Sequence, residues 1–117
     1  MSQQLKDRTN AFSVRVIKMC KEIPSGKIED IIVKQVVRSA TSAAANYRSS
    51  LRGRSTADFI SKLTIAEEEA DETCYWLELM IDVEVFPPKR LEPLLKEATE
   101  ITAILTASGK TAKSKRK

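Results

Sequence analysis

A chain of 117 residues with 42% hydrophobic side chains can bury one core and is too short for two domains. It has no apolar run near the ~18 residues of a membrane span and no charged-then-apolar leader at Met1, so a cytoplasmic protein is expected. The formal net charge of +4 hides a strong segregation. Residues 1–54 hold eleven cationic side chains against four acidic ones, 55–86 hold one against nine, and 109–117 hold five and no acid. Such asymmetry suits either helix-to-helix pairing or contact with nucleic acid. Cys20 and Cys74 lie far apart outside any CxxC pair and are expected as buried thiols, with no disulfide framework.

Only three glycines occur, each where a helix is expected to end. Helix 1 is predicted over about 3–22, with Phe12, Val16, Met19, Cys20 and Ile23 as its apolar stripe, and Pro24-Ser25-Gly26 stops it. Helix 2 runs from about 28 to 51, with Glu29 and Asp30 complementing its dipole and Gly53 as a C′ residue. Ser55 reads as an N-cap with Asp58 three residues on, close to a capping box. Helix 3 continues from there to about Val83 without Gly or Pro, ~40 Å of helix. Pro87-Pro88 breaks it. Pro93 would remove a hydrogen bond inside a helix begun at Pro88, so helix 4 is expected to start near Glu92, with Leu94, Leu95, Ala98, Ile101 and Leu105 facing the core. Gly109 is expected to close it, giving a 1–109 bundle and a disordered basic tail over 110–117. No segment alternates with period two. Long amphipathic helices on short connections predict an all-α, up-down-up-down antiparallel four-helix bundle.

On helix 3, Phe59, Leu63, Ala66, Ala70, Cys74, Leu77 and Ile81 form a core stripe. Ile65, Trp76, Leu79 and Val83 fall roughly opposite, interrupted by Glu68, Glu69 and Glu72. A monomeric bundle needs one apolar stripe, and a second one containing the only Trp is a candidate subunit interface built from Ile65, Glu69, Glu72, Trp76 and Leu79. The plainer alternative has Trp76 straddling a neighbouring helix at the bundle edge. On helix 2, Ile28, Ile32, Val36, Ala40, Ala43, Tyr47 and Leu51 supply the core, with alanines that permit close approach. Gln35, Ser39, Ser42 and Asn46 form a polar strip suited to a seam. Lys27, Lys34, Arg38, Arg48 and Arg52 gather on a third side. Arg38 or Arg48 can meet Glu68, Glu69 or Glu72, within a subunit or across a boundary.

Catalytic chemistry finds no footing. Without histidine there is no Glu-x-x-His di-metal set and no imidazole base for a Ser triad or a ribonuclease. There is no Gly-rich phosphate loop and no paired Cys. A non-enzyme without metal or cofactor is expected.

Arg38-Ser39-Ala40-x-Ser42 with Asn46 and Tyr47, then Asp58-Phe59, Glu68-Glu69-Ala70-Asp71-Glu72 and Tyr75-Trp76-Leu77-Glu78-Leu79, resemble the 23S ribosomal RNA intervening-sequence protein family, also known as the four-helix-bundle protein family. The likeness runs from about Ile32 to Leu79, with Ala43-Ala44 where many members place Ile-Gly. It implies a bacterial protein, a four-helix bundle and a closed homo-oligomer, a ring-like pentamer. The family's relation to the accessory variability determinant of diversity-generating retroelements implies nucleic acid and a reverse transcriptase, or another protein, as partners. Two readings follow. In the first, an accessory protein contacts the phosphates of RNA or DNA through Lys34, Arg38, Arg48, Arg52 and Arg54, and through Lys110, Lys113, Lys115, Arg116 and Lys117 in the tail. In the second, it is a protein-binding scaffold whose basic strip pairs with a neighbour's acidic helix 3. Five cations among the last nine residues favour the first. Few aromatics argue against base stacking.

Overall fold

The computed structural model describes residues 2–115, which form four helices: α1 (Ser2–Cys20), α2 (Lys27–Ser50), α3 (Thr56–Asp82) and α4 (Pro88–Lys115). No strand occurs among the described residues. α2 packs on α1 and α3, and α4 packs on α3 and α1, closing a helical bundle of 49 × 21 × 20 Å around one core.

The core follows a 3-4 spacing. Leu5, Thr9, Phe12, Val16 and Met19 are buried on α1, Leu63, Ala66, Ala70, Thr73, Leu77 and Met80 on α3, and Leu91, Leu94, Ala98, Ile101 and Leu105 on α4. This is the 3.5-residue repeat of side chains interlocking between helices crossing at a shallow angle. It explains a difference on α3. Thr73 and Met80 are buried where a 3.6-residue stripe predicts Cys74 and Ile81, and Ile60 is buried rather than Phe59; the three expected residues are half-buried beside the core. On α2, Ile28 and Leu51 leave the expected core face and are 59% and 37% exposed.

At mid-bundle the side chains are small. Ala40, Ala43, Ala70 and Ala98 meet Phe12 and Ile101 around a void of only ≈10 Å³, at the lower limit for a single water. There the Thr73 hydroxyl donates to Ser39 Oγ at 2.8 Å and Ser39 donates to the Val36 carbonyl at 3.3 Å. Both residues are fully buried. Ser39 therefore lies at the α2–α3 seam, as the polar strip on α2 suggests. Ser42 and Asn46 stay half-buried and bond to each other, Asn46 Nδ2 to Ser42 Oγ at 3.1 Å.

The helix ends explain the remaining differences. Ser55 caps α3 by accepting from the Asp58 amide at 3.1 Å, and the Asp58 carboxylate accepts from the Arg54 amide at 3.2 Å. Gly53 serves close approach, since a Cβ there would lie 3.0 Å from the Phe59 nitrogen. At the far end of α3, Glu84 takes φ 59°, the amide of Glu84 bonds the Ile81 carbonyl, and that of Val85 bonds the Met80 carbonyl. That is a Schellman ending with glutamate at the position glycine usually fills.

α4 starts at Pro88, not near Glu92. Proline suits a first helical position, and the early start buries Leu91 completely. Pro93 is accommodated because it and Lys89, whose carbonyl loses a partner, both lie on the exposed side. Nor does Gly109 close α4. It is buried inside the helix, a Cβ there would meet nothing nearer than Glu67 Oε1 at 3.9 Å, and residues 110–115 stay helical.

Gly109 and Glu84 are therefore exchanged relative to backbone preference. Gly109→Ala should stabilise the protein by about 0.5–1 kcal/mol through helix propensity. Glu84→Gly should add a few tenths, roughly 0.5 kcal/mol, as relief of the left-handed conformation exceeds the extra freedom of the unfolded chain. Urea midpoints measure both, and a fall for Gly109→Ala would show that the site has no room for a methyl group.

Candidate nucleic-acid and subunit interfaces

The outer edge of the α2–α3 contact carries a charged network. Arg38 Nη1 lies 3.0 Å from Glu69 Oε2, Nη2 bonds Glu72, and Nε donates to Gln35 Oε1 at 3.1 Å. Trp76 Nε1 donates to Glu72 Oε2 at 2.9 Å. The indole N–H first, and then the Arg38 guanidinium, hold the Glu72 carboxyl below the usual carboxylate range. Glu72 and Glu69 in turn raise Arg38. One residue expected on phosphate and three expected between subunits thus form a single network within one chain, with Arg38 already neutralised.

Beyond this network the edge becomes apolar. Trp76 and Leu79 are half-buried against the core, Ile65 sits at its border with 36% exposure, and Val83 is 50% exposed. Tyr75, 53% exposed, meets Trp76 edge-on at 5.0 Å. The Ser39–Thr73 bond aligns α2 with α3, and counting along both helices from it sets Ile31 near the height of Ile81 and Ile28 near that of Glu84. Ile28 and Ile31 are 59% and 58% exposed. Neither belonged to the interface expected from sequence; their i, i+3 spacing just off the core stripe was the available signal.

Cations divide into two groups. Arg8 pairs with Glu97 at 2.7 Å and Glu100 at 2.8 Å, and Arg90 pairs with Glu22 at 2.7 Å while lying 5.0 Å above the Phe86 ring. Arg8 holds Glu97 below the usual carboxylate range. With Arg38, these arginines account for the ion pairs among the described residues. Lys34, Arg48, Arg52, Arg54, Lys110, Lys113 and Lys115 are exposed and outside them. Arg116 and Lys117 lie outside the described residues.

Six of these seven cations share one end. There Leu5, Tyr47, Leu51, Phe59, Leu63 and Ile104 line a cavity of ≈330 Å³ where the start of α1, the end of α2, the start of α3 and the later part of α4 meet. Arg48, Arg52 and Arg54 surround the α2–α3 turn, and Lys110, Lys113 and Lys115 follow on α4 as an ordered helical array. Lys34 stands apart in the first half of α2. The Cys20 thiol, buried in the core, is pushed up to about 11 by desolvation, whereas Cys74 is half-buried, 3.7 Å from Thr102.

Residues 2–107 match the family described as 23S rRNA-intervening sequence protein. The chain belongs to that family. A crystal structure from Bacteroides thetaiotaomicron, of a protein with unknown function from the S23 ribosomal protein family, is similar to it. The two share 38% identity and a TM-score of 0.86, over 93% of this chain and 97% of that one. No functionally curated protein matches. Among the described residues of this family member, no helix is long and apolar enough to cross a membrane. No group of three or more His, Cys, Asp or Glu that could hold a metal ion occurs there either.

The single Trp makes the Arg38 network measurable. A carboxylate with a depressed folded pKa contributes stability above its unfolded value, about 4.3, and loses it as pH falls through the folded value. Trp76 emission should accordingly titrate with a midpoint below the ordinary glutamate range, and Arg38→Ala should move that midpoint upward. The accompanying loss of stability at neutral pH should stay within about 1 kcal/mol, since the pair is largely solvent-exposed. An unchanged midpoint would show that Arg38 does not bear on Glu72.

Proposed function

We propose that this family member is a non-enzymatic, cytoplasmic, homo-oligomeric accessory protein that holds RNA or DNA by its phosphates. The partition of cations carries this reading. Three arginines are consumed inside the chain, while Arg48, Arg52, Arg54, Lys110, Lys113 and Lys115 remain unpaired around one end. A cluster of uncompensated cations without paired acids is the footprint of phosphate contact, tolerant of sequence and sensitive to salt. The up-down-up-down course of the bundle is supported by opposed residue order between neighbours. Arg8 meets Glu97 while Glu22 meets Arg90, and Glu67 meets Thr106 while Cys74 meets Thr99.

Assembly rests on the other half of the molecule. Exposed Ile28 and Ile31 on α2 and exposed Val83 on α3, with half-buried Trp76 and Leu79, supply apolar surface on the two helices that also carry the Arg38 network, the composition of an interface core with a polar rim. A closed ring buries such a strip on every subunit; the pentameric order and a reverse transcriptase as protein partner follow the family resemblance. Mass measurement at micromolar concentration should give an oligomer. Ile31→Glu with Val83→Glu should release monomers that keep their helical content, because both side chains are already exposed. A monomeric unmutated protein would end the assembly reading.

For nucleic acid, Arg52→Glu with Arg54→Glu, or removal of residues 110–117, should weaken RNA and DNA binding of many sequences alike. Each lost phosphate contact should flatten the log–log salt slope by about 0.7–0.9. No binding by the intact protein at about 50 mM salt, where counterion release is strong, would overturn the nucleic-acid reading and leave a protein scaffold.

A further inference from the structure

We propose that the phosphodiester backbone runs in the groove between α1 and α2, held where Lys6 and Arg48 face each other across it; this rests on the nucleic-acid reading above. The groove, ≈490 Å³, is walled by residues from Lys6 to Ser13 on α1 and from Thr41 to Arg48 on α2, with Ala44 and Ala45 among its lining. Ser13 donates to the Ala40 carbonyl at 3.2 Å, which fixes the alignment of the two helices and sets Lys6 level with Arg48. That mouth opens at the cationic end of the bundle, so the groove continues the array formed by Arg52, Arg54 and the end of α4.

Its chemistry favours a linked phosphate over other occupants. Neither Lys6 nor Arg48 takes part in an ion pair among the described residues. Asp7, the one acid in the groove, already accepts from Gln3 Nε2 at 2.9 Å. Ser13 and Thr41 spend their protons inward, Thr41 on the Val37 carbonyl at 2.8 Å, so the donors left for a ligand are the two cations and the Asn10 amide. Alanines at 44 and 45 let a chain approach the helix backbone closely. The two walls extend about 10 Å, room for neighbouring phosphates of one strand. No aromatic ring lines the groove, so the bases would face outward and sequence would not be read. One net positive charge is too weak to hold a lone anion. The occupant is a polymer that also engages the neighbouring cations.

The test uses the full-length protein with a labelled mixed-sequence RNA strand, and with the matching duplex, at about 100 mM salt. Lys6→Glu and Ala45→Glu should each lower affinity about tenfold, and Lys6→Gln should flatten the salt slope by about one contact. Lys89→Glu makes the same charge change as Lys6→Glu at the opposite end of the bundle and should cost less than about twofold, since exposed charges beyond a Debye length are screened. Circular dichroism and mass confirm that each variant keeps fold and assembly; Lys6→Gln serves if a glutamate variant does not. If intact protein binds but the groove variants lose no more than Lys89→Glu, the groove is wrong and the nucleic-acid reading stands. If the intact protein does not bind at all, both fall. Inorganic phosphate alone should not compete at millimolar concentration, and competition would show a simple anion site instead.

Discussion

Everything else in this molecule depends on how closely α2 and α3 approach at mid-bundle. Alanines at 40, 43, 66 and 70 leave little but backbone between the helices, and into that narrow gap the chain puts two hydroxyls. A buried hydroxyl without a partner costs on the order of 1–3 kcal/mol. Ser39 and Thr73 each reach a carbonyl of their own helix, that of Val36 at 3.3 Å and that of Glu69 at 2.8 Å, and the 2.8 Å contact between them is the one that this α2–α3 alignment adds. This polar pair therefore specifies alignment more than it adds stability. The alignment then decides which side chains meet on the surface. Arg38 falls against Glu69 and Glu72.

The same constraint sorts the charges. α3 carries half of the acidic residues, yet only Glu69 and Glu72 pair with an arginine of α2. Arg48, late on α2, and Arg52, in the turn that follows it, make no ion pair among the described residues, because the one α3 carboxylate before Glu67 is Asp58, which accepts from the Arg54 amide at the helix cap. Glu68, Asp71, Glu78 and Asp82 remain exposed on the other side. The result is a rod with a basic end and an acidic flank, a distribution that steers anionic polymers toward the end and away from α3. Net charge alone would not show this, since the two regions nearly cancel.

The helices were legible because glycine, proline and capping residues punctuate the chain plainly, as Ser55 with Asp58 illustrates. Two punctuation marks misled. Pro93 looked like a helix breaker, but proline breaks a helix decisively only where its lost hydrogen bond is buried, and the burial of Leu91 outweighs an exposed defect. Gly109 looks like a stop in sequence, but it is itself buried within α4, and a propensity cost near 1 kcal/mol does not force a helix to end. On α3 a 3.6-residue stripe predicts Phe59, Cys74 and Ile81 where Ile60, Thr73 and Met80 are buried, because packing among four helices imposes 3.5 residues per repeat. For Ser39 the sequence suggests a seam but does not say which one, and the structure puts it between α2 and α3. A serine is polar by composition and becomes interior only when Thr73 stands opposite. Equally hidden was the fate of Arg38, since sequence offered it phosphate, its own α3 or a neighbour's, and only the alignment decides.

Helix α2 shows how a bundle this small can carry both proposed surfaces. Arg38 and Arg48 are ten residues apart, about 80° around the helix. One therefore faces the α3 seam and the other the α1 groove. Neutralising Arg38 within the chain has a consequence for Arg48. The α3 carboxylates nearest to α2 are already occupied, so they compete little for a guanidinium farther along. Releasing Arg38 would free Glu69 and Glu72 to repel a bound strand and at the same time remove the polar rim of the apolar strip. In this arrangement the internal ion pair keeps the assembly face and the phosphate face chemically separate, although both are written on the same 24-residue helix.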